Sequence, residues 1–109
     1  MQVNINPFQP KLTASTTTNA AVTGSSAQIT LPTMPNLDGT GNPVQFRFTN
    51  IGTQTIFWAW GTVTASVSTS TPMLSNTCEV FTAPDGITTI SVIAATTGST
   101  LYITGGFGQ

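Results

Sequence analysis

The sequence predicts an all-β domain: an antiparallel β-sandwich or small jelly-roll-like barrel of about 6–8 short strands, preceded by an extended N-terminal arm. Three observations carry this. Apolar residues recur at every second position through most of the chain, β-branched and aromatic residues fill those positions, and Gly/Pro clusters separate the runs. No segment sustains apolar residues at helical spacing.

Residues 1–25 read as the arm, and residues 26–109 as the sandwich domain. The arm holds Pro7 and Pro10 and then a Thr-rich run with little to bury, within which Lys11-Leu12-Thr13-Ala14 can start a first strand. Ala27 to Leu31 alternates and stops at Pro32. The stretch from Pro32 to Pro43 is a loop, with three prolines and an Asp38-Gly39 pair. Val44, Phe46 and Phe48 then alternate with Gln45, Arg47 and Thr49, and the alternation resumes at Ile56, Trp58 and Trp60. Asn50-Ile51-Gly52 lies between, so the simplest expectation is a β-hairpin whose two dry faces nucleate the core.

Thr62 to Thr71 is Ser/Thr-rich with Val63, Ala65 and Val67 alternating, and fits an edge strand or a loop equally well. Cys78 to Thr82 is a strand with Cys78 and Val80 on one face and Glu79 and Phe81 on the other. Pro84-Asp85-Gly86 is a turn, because Pro pre-sets φ and Gly accepts the positive φ that follows. Ile90, Val92 and Ala94 line one face of the next strand, and Thr100 to Thr104 is the last.

Composition narrows the function classes. Only Lys11, Asp38, Arg47, Glu79 and Asp85 are charged, 5% of 109 residues against roughly 25% in ordinary soluble domains. Two cations cannot neutralise a row of phosphates, so nucleic acid is not an expected partner, nor is an anionic membrane surface. A net charge of −1 gives little self-repulsion, which fits a subunit that lives docked in an assembly, as a homo-oligomer or on another protein. The N-terminal residues have neither a basic nor an apolar secretory region, and no run is long enough for a membrane helix. A Thr-rich, charge-poor chain without an export signal fits a virion component, made in the host cytoplasm and released with the particle.

Catalytic chemistry finds few groups to use. Without histidine, Ser-His-acid and Cys-His arrangements are excluded, and one cysteine with three scattered acids makes no zinc set. A carboxylate pair drawn from Asp38, Glu79 and Asp85 competes with the turn roles of the two aspartates. No enzymatic activity, cofactor or metal is therefore expected. Trp58 and Trp60 share one strand face and can form either a stacking platform or the core, and the matching face of Val44, Phe46 and Phe48 favours the core. Phe57 then points outward and is expected at a subunit contact, while Cys78 is expected to be a small buried hydrophobe.

Over about two-thirds of its length the chain resembles a family of small structural proteins of tailed bacteriophage virions. The likeness rests on motif order: Phe48-Thr49-Asn50-Ile51-Gly52-Thr53, the apolar strand Ile56 to Gly61, Glu79-Val80-Phe81, Pro84-Asp85-Gly86, Ile90 to Ala94, and Thr100 to Gly106. The family's terminal charged residue has no counterpart near Gly106-Phe107-Gly108. The resemblance implies a β-sandwich in the virion that decorates or cements the capsid, with the major capsid protein or another virion structural protein as partner. A tail or head–tail component fits the same pattern. From another class, a carbohydrate-binding module on a phage fibre would stack sugars on Trp58, Trp60 or Tyr102.

Overall fold

The computed structural model describes residues 9–10, 17–32, 44–84 and 86–107. They contain no helix and nine strands: β1 (Gln9–Pro10), β2 (Thr17–Val22), β3 (Ala27–Thr30), β4 (Val44–Gly52), β5 (Ile56–Trp60), β6 (Thr71–Met73), β7 (Thr77–Thr82), β8 (Thr89–Ala94) and β9 (Ser99–Phe107). All pairings are antiparallel. The first sheet runs β2–β9–β4–β7, with the short β1 lying beyond β2 along the same edge of β9, and the second runs β3–β8–β5–β6. The pairs β2:β9, β3:β8, β4:β7 and β5:β6 nest inside one another. The chain is thus one long double ribbon, rolled until β4 meets β9 and β5 meets β8, which is the strand order of a jelly roll. The all-β sandwich read from the sequence is the observed fold.

Alternation does the packing. Phe46 and Phe48 from β4, Ile56 and Trp58 from β5, Ile90 and Val92 from β8, and Leu101 and Ile103 from β9 all point between the sheets and are buried. Phe48 meets Trp58 edge-on at 4.8 Å, and Trp58 in turn meets Trp60 at 4.9 Å and Phe81 at 4.7 Å. These tilted geometries set a ring's positive edge against a neighbour's negative face, adding about 0.5–1.5 kcal/mol per pair beyond burial.

The expected β4–β5 hairpin does not form. The two strands lie in different sheets, and residues 51–55 carry the chain across the sandwich. From β2 onward every connection except β5–β6 makes such a crossing. Gly52 does adopt the positive φ its position implies, 143°, but its function is close approach: a Cβ there would collide with the carbonyl oxygen of Gly98 in the β8–β9 crossover. Gly98, at φ 136°, leaves no more room, since its own Cβ would fall 2.8 Å from Thr53 Oγ1.

Asn50 is the last inward position of β4, fully buried rather than a turn residue. Its Nδ2 donates to the carbonyls of Gln54, Met73 and Leu74 at 2.9, 3.0 and 3.2 Å, tying the β4–β5 crossover to the β6–β7 turn. Ser99 does the same for β8–β9: its hydroxyl accepts from Gln54 N and donates to Gln54 O, both at 2.8 Å. At the opposite end Gly86 has the positive φ expected of it, 79°, but the bond from Ile87 N to Pro84 O at 3.4 Å makes Pro84 the first residue of the turn, outside the central positions where its fixed φ would act.

Part of the segment read as an arm belongs to the sandwich, because Thr17–Val22 pairs along its whole length with β9 and brings Val22 into the core. The candidate strand Lys11 to Ala14 and the loop from residue 33 to 43 lie outside the described residues.

Candidate functional site

The two sheets differ in what lies outside them. Thr62 to Thr71, open between edge strand and loop in the sequence, forms a strap over the outer face of the second sheet before entering β6. Gly61 N donates to Thr89 O at 2.8 Å, and Val63 N to Ser91 Oγ at 3.0 Å. Further across, Gln28 Nε2 donates to Val63 O at 3.2 Å, and Ala65 N to Ser26 Oγ at 2.8 Å. The strap therefore leaves β5, passes over β8 to reach β3, and returns to β6. Ser91 is completely buried beneath it although it sits on an outward strand position, and its hydroxyl also donates to Gly61 O at 2.9 Å. The Ser/Thr richness has a local cause: Ser66 N bonds Ser70 Oγ at 3.0 Å and Ser68 N bonds Ser66 Oγ at 3.2 Å, so hydroxyls close the turns.

Phe57, on the outward face of β5, is half-buried rather than exposed as expected.

No strap covers the first sheet among the described residues. Its outer face is laid out by cross-strand register in four rows, the first of them Gly106, Gln45 and Thr82, where Gln45 Nε2 donates to Thr82 Oγ1 at 3.1 Å. Thr17, Thr104, Arg47 and Val80 form the second; Asn19, Tyr102, Thr49 and Cys78 the third; Ala21, Thr100 and Ile51 the fourth. With strands about 4.8 Å apart, the four-strand face spans roughly 15 Å. Ile51 is 52% exposed, Val80 42% and Tyr102 36%. Hydroxyls fill the remainder: Thr17 and Thr104 share a 2.9 Å hydrogen bond, and Thr49 Oγ1 donates to Cys78 Sγ at 3.4 Å. Arg47 is the only charged side chain in these rows.

Cys78 is exposed, which corrects the expectation of a buried hydrophobe. The parity of β7 was read correctly, with Cys78 and Val80 on one face. That face turns outward because Phe81 packs inward on Phe48, at 5.0 Å between ring centroids.

The stacking platform fares differently. Trp58 is 3% exposed and Trp60 half-buried, both inside the sandwich, so of the three aromatics assigned to sugar stacking only Tyr102 is on the surface. Beside β7, an open groove of about 440 Å3 is lined by Pro72, Leu74, Thr77, Cys78 and Glu79. It brings the Cys78 thiol and the Glu79 carboxylate to one groove, in a chain without histidine. Among the described residues no group of His, Cys, Asp and Glu can hold a metal, and no helix is long and apolar enough to cross a membrane. Asp38 and Asp85 lie outside the described residues.

The exposed face went unnoticed in the sequence because it depends on which sheet the strap covers. Its one local signal is the run of Thr, Tyr and Thr at outward positions of β9. No protein-family model matches the chain, and no curated protein matches it.

Proposed function

We propose that this chain is a non-enzymatic structural protein of a virion, which decorates or cements a capsid by docking the outer face of its first sheet on the major capsid protein or another virion structural protein. The observation that carries the reading is that face: four strands wide, crossed by no strap among the described residues, holding one charged residue and presenting Ile51, Tyr102 and Val80 to solvent. A freely diffusing domain gains solubility from surface charge, whereas an uncharged face with exposed apolar groups loses little on leaving water. Contact through hydroxyls and apolar side chains also avoids the desolvation cost of buried ions. The ordered likeness to phage structural proteins supports the virion setting, and a tail or head–tail position would use the same face on a different partner.

Immunogold labelling of purified particles with an antibody to this chain tests the proposal. Gold distributed over the capsid is the expected result. Label confined to the tail would move the docking site within the virion. Absence of the chain from particles would overturn the reading, and glycan binding abolished by Tyr102→Ala would replace it with the carbohydrate module.

A further inference from the structure

An uncovered edge strand offers a row of unpaired backbone N–H and C=O groups to any extended chain, and proteins guard such edges with charge, proline, brevity or cover. The four sheet edges here are β3 and β6 in the second sheet, and, in the first, β7 on one side and β2 with the two-residue β1 beyond it on the other. Three are guarded. β6 has three residues, one of them Pro72. β3 has four, and the strap reaches it through Gln28 and the adjoining Ser26. β7 carries Glu79 on the inward side of the strand, opposite Phe48, where an added strand would pack against a carboxylate.

Among the described residues β2 has none of these devices. Its six residues, Thr17–Val22, include no charge and no proline, and among the described residues it pairs only with β9. We infer that β2 pairs antiparallel with the β2 strand of a second copy across a twofold axis, joining the two first sheets into one continuous sheet.

The strand suits itself as a partner. Directly opposed residues must share a face, which excludes every register in which an outward residue meets an inward one. Placing Asn19 opposite its own counterpart satisfies this rule. It sets Thr17 against Ala21 on the outer face and Thr18 against Ala20 on the inner, so small side chains meet throughout. The two Asn19 amides each hold a donor and an acceptor and can pair across the axis. No like charges meet, because β2 has none. An isologous contact of this kind closes at two copies instead of propagating. It would also double the first sheet's outer face while leaving it on one side. The inference stands independently of the virion reading.

Sedimentation of the purified full chain over a range of concentrations tests it. The mass should rise from the 11.3 kDa of one chain to twice that value. Asn19 is exposed, so Asn19→Lys leaves the monomer intact yet sets two ammonium groups on the axis. It should weaken the dimer at least about fivefold, as directly opposed like charges do. In a Cys78→Ser background, Asn19→Cys should form an intermolecular disulfide under mild oxidation. A wild-type chain that stays monomeric at its highest soluble concentration overturns the inference. So does a dimer that neither weakens with Asn19→Lys nor cross-links through residue 19, since another surface then holds it.

Discussion

At the scale of single residues, two buried side chains of β4 and β5 hold the molecule in different ways. Trp58 is a space-filler at the centre of the aromatic cluster, and its Nε1 has no hydrogen-bond partner among the described residues. Its stabilisation comes from buried area and ring contacts, set against an unpaired N–H. Trp58→Ala should therefore cost about 3–5 kcal/mol in urea unfolding, while Trp58→Phe, which discards the unpaired group, should cost clearly less. Equal losses would mean that the indole N–H is satisfied. Asn50 acts instead as an internal tie between two crossovers. Asn50→Ala leaves the Met73 and Leu74 carbonyls without this donor, while Gln54 O keeps its bond from Ser99 Oγ, and should cost about 1–3 kcal/mol, less than Trp58→Ala. The Trp58 role was legible from its spacing to Ile56 and Trp60. Asn50 was misread because Asn beside Gly is an ordinary turn signal, although its even spacing from Phe46 and Phe48 already placed it on the inward face.

At the scale of elements, the strands were legible and their partners were not. Alternation located six of them to within a few residues, because a half-buried strand needs one dry and one wet face whatever it pairs with. Pairing depends on where a turn sends the chain. Residues 50–55 look like a hairpin turn locally, yet Gly52 is there to let Gly98 approach from a loop more than forty positions away. No local pattern encodes that contact. The strap is similarly non-local, since its hydroxyl and amide ties run to Ser26, Gln28, Thr89 and Ser91. Ser91 is its central fastening. Ser91→Ala removes three hydroxyl bonds, to Gly61 O and from Val63 N and Gln28 Nε2, and should loosen the strap without unfolding the sandwich. Amide hydrogen exchange should quicken at Val63 and Ala65 while Ile90 and Val92 stay protected. Uniform quickening would show that strap and sandwich open as one unit.

At the scale of the whole molecule, the strap makes two similar sheets unequal. Among the described residues the strap covers the second sheet and not the first, and near-absence of charge would let the first sheet's outer face leave water at low cost. The low charge is plain in the sequence and is the ground for proposing a docked subunit, whereas Phe57, expected to be exposed, is half-buried. The central claim is that the chain attaches through the outer face of the first sheet, and the molecule carries its own probe there. Cys78 is its single cysteine, exposed on β7 between that face and the adjoining groove. The most direct measurement is the rate of Cys78 alkylation in the free chain and in purified particles. Alkylation should be fast in the free chain and strongly slowed on the particle; equal rates in the two states would contradict docking through this face.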